Sequence, residues 1–168
     1  MPQIHYGQFG LFHVTSVAKD RTPWCTQLGV PPLLIDDLFM TRNVYNAAVY
    51  AFCILPDHMH ILVGAGEKGL SRFMHSFRRN ASRDVGMLIP PSGGTPGLRT
   101  PAAGNDMSFT GWQSGFHDRY VTTDRKRMNA FYYVAHNAVR HRLVTDIDDW
   151  PWSSIHFPHL IDPLPMWD

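Results

Sequence analysis

Glutamate is nearly absent from these 168 residues, with Glu67 the only one. That scarcity removes the residue on which HExxH metalloprotease chemistry and the HxE deaminase pattern depend. Cysteine is also scarce. Cys25 and Cys53 lie far apart and form no CxxC pair, which excludes a disulfide framework and a thiolate zinc site and leaves nitrogen and oxygen as donors to any metal. No stretch approaches the roughly 20 apolar residues of a membrane span, and Met1-Pro2-Gln3-Ile4-His5 lacks the basic and apolar regions of a signal peptide. The expectation is a cytoplasmic protein with no membrane partner. No internal repeat is visible, and 168 residues at 44% hydrophobic content suit one domain, 1–168, with a sizeable core.

Histidine, by contrast, is plentiful, with ten in the chain. Two of them stand in Ile54-Leu55-Pro56-Asp57-His58-Met59-His60-Ile61-Leu62-Val63. Strand side chains alternate, so His58 and His60 point to one face while Met59 and Ile61 point to a core on the other. Two imidazoles on one face are half of a metal site, and they need a third donor to hold an ion firmly.

Charge is distributed unevenly. Net charge is +1, but residues 70–142 carry eleven Lys/Arg against four Asp/Glu, an excess of +7. That half of the chain is a candidate for phosphate contacts.

Periodicity supplies the frame. A strand is expected over Phe9–Val17, a helix over Pro32–Tyr45, and a hairpin of Val49–Leu55 with His58–Val63 broken by Pro56-Asp57. An amphipathic helix over Gly69–Val85 has Leu70, Phe73, Met74, Phe77 and Ala81 at helical spacing, with Arg72, Arg79 and Arg83 on other faces. The Pro-, Gly- and Ser-rich stretch 89–106 reads as a mobile loop. Gly115–Thr122 reads as a strand, and a helix capped by Thr123 or Asp124 is expected to run to about Arg142. On a helical wheel Met128, Phe131, Tyr132, Ala135, Val139 and Leu143 share one side, whereas Asn129, Tyr133, His136, Asn137 and Arg140 share the other. Tyr132 is therefore expected in the core and Tyr133 at the surface, with Asn137 one turn beyond it. Asp149-Trp150-Pro151-Trp152-Ser153-Ser154 reads as a turn anchored by its aromatic side chains, with both tryptophans packed in the core.

The ordered set LPDHMHILV, a basic helix, WQSGFHDR, Tyr133-x-x-x-Asn137 with Val139-Arg140-His141-x-Leu143-Val144, and DWPWSS resembles the REP-associated tyrosine transposases. These are members of the IS200-like superfamily of single-strand transposases with an HUH motif (His, hydrophobic, His). The resemblance spans roughly Phe9 to Phe157. It implies an α+β fold, a ferredoxin-like central antiparallel sheet with helices on its faces and the His pair on an inner strand. It also implies that His58, His60 and Asn137 bind a divalent ion, Mg²⁺ or Mn²⁺, and that Tyr133 is the nucleophile. Two departures are Ala138, where the family often has Pro, and Arg142, where Gly is frequent. Alanine is the better helix former, so the tyrosine helix is expected to continue past it.

The implied reaction is cleavage and rejoining of single-stranded DNA through a 5′-phosphotyrosine, at hairpin-forming palindromes, in the service of DNA transposition. The expected partner is a folded single strand, bound by a monomer or homodimer at a bacterial nucleoid. Arg72, Arg79, Arg83, Arg125, Lys126, Arg127 and Arg140 are candidate backbone contacts, and Trp112 or Phe116 could stack on an unpaired base. His136 and His117 are conjectural general bases. Alternatives are a domesticated hairpin-binding protein without cleavage and a nickase like the rolling-circle replication initiators.

Overall fold

A computed structural model describes residues 10–89 and 109–166. Phe9 and nearly all of the Pro- and Gly-rich stretch lie outside them. Ile89 is described, and it is buried at the end of a helix.

The chain runs β1 (Gly10–Val17), α1 (Val30–Val44), β2 (Ala48–Ile54), β3 (His58–Ala65), α2 (Gly69–Leu88), β4 (His117–Val121), α3 (Asp124–Ala135) and α4 (Asn137–Arg140). All pairings are antiparallel and the strand order is β2-β3-β1-β4. A βαββαβ chain in that order is the ferredoxin-like arrangement, and it puts β3 inside the sheet as expected.

Alternation sorts the sheet's two faces. Phe12, Val14, Phe52, Met59, Ile61 and Val63 point toward α1 and α2, where Leu34, Leu38, Leu70, Phe73, Phe77, Ala81 and Val85 complete one buried cluster. Removing a ring such as that of Phe77 from it would cost about 3–5 kcal/mol. Leu11, Ala51 and Leu62 point the other way, against Val134 of α3. His58 and His60 share the parity of Leu62 and so belong to this second face.

The strands and first two helices lie close to their expected bounds. Between Ile54 and His58 the chain turns sharply, with the Leu55 amide donating to the His58 carbonyl at 2.8 Å. Thr123 caps α3 by accepting from the Lys126 amide at 3.2 Å. Near the C-terminus Asp162 ion-pairs with Arg42 and accepts from the Val49 amide at 2.8 Å, tying the tail to α1 and β2.

The tyrosine helix departs from expectation in two ways. It does not run unbroken to Arg142: His136 leaves helical geometry at φ −102°, ψ 18°, and a separate turn, α4, follows. Replacing proline by Ala138 does not restore continuity, because tertiary partners occupy the groups that the break releases. Asn137 Nδ2 donates to the Tyr133 carbonyl at 3.4 Å, and Ser153 Oγ donates to the Ala135 carbonyl at 2.6 Å. The amides of Asn137 and Ala138 bond the Cys53 thiol, which burial pushes up to about 12. Buried backbone groups need partners, and these supply them from outside the helix.

The wheel is also rotated from expectation. Arg127, Val134 and Ala135 are the buried residues of α3, and Tyr132 is 52% exposed rather than in the core. After the break, Arg142 takes the left-handed conformation at φ 56°, the geometry that glycine meets most easily.

Candidate active site

His60 lies on β3 directly opposite Thr15 of β1 and Cys53 of β2. Its Nδ1 is 2.9 Å from His13 Nε2 and 3.1 Å from Thr15 Oγ1. His58 Nδ1 donates to Asp57 Oδ1 at 2.6 Å. Hydrogen bonds at Nδ1 fix each ring and leave Nε2 as the nitrogen that can bind a ligand, the arrangement common around metal-binding histidines.

His60 Nε2 is buried and has no hydrogen-bond partner among the described residues. Asn137 Oδ1 is in the same condition. Orphaned buried acceptors are costly unless something bonds them. Two imidazole nitrogens and an amide oxygen are a chemically suitable donor set for a divalent cation. In donor chemistry these residues fit the divalent ion that the resemblance implies.

Electrostatics favour neutral imidazoles here. Burial, with neighbouring His13 and His58, pushes His60 down to about 2. Burial, aided by Arg119, pushes His13 to about 4, and burial also lowers His58. Neutral rings keep the lone pairs that a metal needs.

Tyr133 stands across from them. Its ring centre is 5.8 Å from that of His60, nearly perpendicular at 89°, and 5.3 Å from that of His13. The Arg140 guanidinium lies over the Tyr133 ring, 4.5 Å from its centre. A cavity of about 800 Å³ opens here, lined by His13, His60, Arg119, Lys126 and Tyr133 among others. Tyr132 instead meets Phe131 edge to face and His136 at a tilt.

The other expected residues divide by location. Lys126 lines this cavity, whereas Arg125 is exposed on α3. Arg127 is no surface contact: it is 9% exposed and pairs with Asp124 at 2.6 Å. Arg72, Arg79 and Arg83 are exposed on α2, on the sheet face away from the His pair, and Arg83 pairs with Asp84 at 2.8 Å. Arg79 lines a groove of about 400 Å³ with Trp112, Phe116 and Arg78. Trp112 is held against Trp24 and Phe77, so its ring is partly committed to the core. Trp150 and Trp152 are partly buried, and Trp150 Nε1 donates to the Ile54 carbonyl at 2.9 Å. His117 is also on the cavity wall, while His136 contacts Tyr132.

Sequence reasoning missed His13, Thr15, Asp57, Arg119 and His141. His13 and Thr15 could have been found from β1 alternation, which puts both on the face opposite Phe12 and Val14. Arg119 and His141 required knowledge of the pairing and of the helix break.

Comparison with known proteins agrees with this fold. No family model matches the chain. A Haemophilus influenzae protein named as a REP-associated tyrosine transposase is 25% identical over 163 residues, covering 88% of this chain and 80% of its own. A REP-associated tyrosine transposase bound to a REP hairpin shares the fold, with a TM-score of 0.70 at 17% identity over 100% of this chain and 92% of that one. The chain is thus similar to REP-associated tyrosine transposases in sequence and in fold. A transposase-like protein of Deinococcus radiodurans has the same fold more loosely, with a TM-score of 0.51 at 18% identity over 80% of this chain and 95% of its own. Among the described residues no helix is long and apolar enough to cross a membrane.

Proposed function

We propose that this chain is a metal-dependent single-strand DNA transposase that cuts and rejoins hairpin-forming DNA through a 5′-phosphotyrosine on Tyr133. The observation that carries the reading is the meeting of Tyr133 with His60, ring centres 5.8 Å apart, at a cavity into which a strand could enter.

His58, His60 and Asn137 would hold a divalent ion, Mg²⁺ or Mn²⁺. When bound, the ion polarises the phosphate and offsets the charge that develops on its oxygens. Tyr133 Oη attacks phosphorus as the phosphorus–O3′ bond breaks, so the 3′-oxygen leaves and takes up a proton while the phenol gives one up. The new phosphotyrosine ester conserves the bond, so a 3′-hydroxyl can reverse the step without ATP. Arg140, its guanidinium 4.5 Å from the centre of the Tyr133 ring, holds that ring in place.

Lys126 and Arg119 at the cavity would meet the DNA backbone near the cut, and Arg125 and Arg140 would extend that track. Arg72, Arg79 and Arg83 lie on the opposite face, so they would contact only DNA that wraps around the sheet edge. A hairpin reaching the groove beside Arg79 could stack a base on Phe116 or Trp112. Support for a hairpin ligand is the related transposase whose structure holds a REP hairpin.

The test is incubation of end-labelled, hairpin-forming single strands with the protein and Mn²⁺ or Mg²⁺. A protein–DNA band that survives denaturation and disappears with chelation is expected. Binding without any such band, for palindromes of varied sequence, would leave a hairpin-binding protein instead.

A further inference from the structure

A third imidazole joins the pair. His58, His60 and His141 each offer a nitrogen within 4.8 Å of the others'. The His58 and His141 rings are 4.9 Å apart and meet edge to face at 68°. His141 is carried there by the chain reversal after the helix break: its amide donates to the Asn137 carbonyl at 3.0 Å, and Arg142 turns the chain away at φ 56°. The resemblance assigns His141 no role.

An exposed histidine with no task would be free to sit in solvent, yet this one is set against a ring whose Nδ1 is already taken by Asp57. The buried, unpartnered Nε2 of His60 is a second and independent sign that something binds between these rings. We propose that His141 donates to the same ion as His58 and His60, so that the chain holds it through three imidazoles and selects a first-row transition cation over Mg²⁺. This rests on the metal-dependent reading above.

The selectivity follows from donor chemistry. Imidazole nitrogen suits the later first-row ions such as Co²⁺, Ni²⁺ and Zn²⁺, whereas Mg²⁺ prefers oxygen and retains much of its water. Two imidazoles and one amide oxygen would leave the choice open. A third nitrogen tilts it toward the transition metals, and the exposed position of His141 lets that ring swing to suit the ion's geometry.

The experiment uses the full chain, stripped with chelator and free of DNA, titrated with Co²⁺ and separately with Mg²⁺. Co²⁺ is followed by its visible absorption and by competition with a chelating dye. Wild type is expected to bind Co²⁺ more tightly than Mg²⁺. His141→Ala is expected to weaken Co²⁺ by at least about tenfold, near 1.4 kcal/mol, and to alter the absorption band. Its Mg²⁺ affinity should stay within about twofold, since Mg²⁺ takes oxygen donors. The metal-free thermal midpoint of His141→Ala should match wild type, which separates ligation from folding. Unchanged Co²⁺ affinity in His141→Ala, with binding abolished in His60→Ala, would overturn the His141 assignment and leave the metal site standing. Tighter binding of Mg²⁺ than Co²⁺ by wild type would overturn the selectivity. Failure of wild type to bind either ion would remove the metal-dependent reading and this inference together.

Discussion

His13 Nε2 lies 2.9 Å from His60 Nδ1, so a histidine of β1 fixes the ring of a histidine on the neighbouring strand β3. Thr15 approaches the same nitrogen at 3.1 Å. Such outer partners set which nitrogen is free and how the ring is aimed, and losing them typically weakens metal affinity by about 10–100-fold. Replacing His13 with Ala should therefore weaken Mn²⁺ or Co²⁺ binding by about tenfold, and adding Thr15→Val should approach the upper end of that range. Titration of the metal-free variants checks this; wild-type affinity in the double variant would count against it.

Arg127 separates structural charge from DNA-binding charge. It is buried and paired with Asp124 at 2.6 Å, and taking one member from a buried pair leaves the other uncompensated. Arg127→Ala should lower unfolding stability by about 2–4 kcal/mol. The exposed Arg125→Ala should leave stability nearly unchanged while reducing the salt dependence of DNA affinity by about one unit of log-log slope. Urea unfolding and a salt series on a hairpin strand distinguish the two. A stable Arg127→Ala with a reduced salt slope would return that residue to the DNA surface.

The frame of the fold was legible because its signals are local. Alternation in β3 sent His58 and His60 to one face and Met59 and Ile61 to the other, and the spacing of Leu70, Phe73 and Phe77 marked the buried side of α2. The break at His136 was not legible. Its stability comes from Ser153, which is distant in sequence, and from Cys53 on another strand, so nothing within the helix announces it. Tyr132 was misplaced for a related reason: a wheel drawn across the break averages two helices of different phase, and the packing side of α3 is centred on Val134. The donor side of the site was half visible. His58, His60, Asn137 and Tyr133 carry local spacing, while His13, Thr15 and His141 reach the site only through strand pairing or the broken helix.

Ser153 tests that account of the break. Its hydroxyl donates to the Ala135 carbonyl at 2.6 Å in a buried setting. Ser153→Ala leaves that carbonyl without this partner, which should cost about 1–3 kcal/mol of stability. A thermal or urea midpoint indistinguishable from wild type would show that the break is held by other means.

A pH dependence unrelated to the metal site arises between α1 and α2. Burial and the nearby Asp84 carboxylate push the Asp37 carboxyl up to about 7, while Asp84, hydrogen-bonded by Arg83, is held low. A carboxyl that binds its proton more tightly when folded adds stability below its ordinary range near 4, and that contribution is lost as pH rises through about 7. The buried neutral histidines add stability with rising pH in any variant that keeps them, so the Asp37 contribution is read as a difference: between pH 5 and pH 8 wild type should lose about 1–2 kcal/mol relative to Asp37→Asn. Asp37→Asn stays neutral throughout and lacks that loss. Urea midpoints of both proteins at the two pH values decide it, and an identical pH dependence in the two would contradict the raised Asp37 carboxyl.

The central claim is that Tyr133, and not its neighbour Tyr132, becomes joined to DNA. Wild type, Tyr133→Phe and Tyr132→Phe should each be incubated with a labelled hairpin-forming strand and Mn²⁺, then resolved under denaturing conditions, with the site of attachment read by peptide mass. The account predicts an adduct on Tyr133 in wild type and in Tyr132→Phe. It predicts no adduct in Tyr133→Phe, which should still bind the hairpin. An adduct that persists in a folded Tyr133→Phe, or that vanishes in a folded Tyr132→Phe, would contradict it.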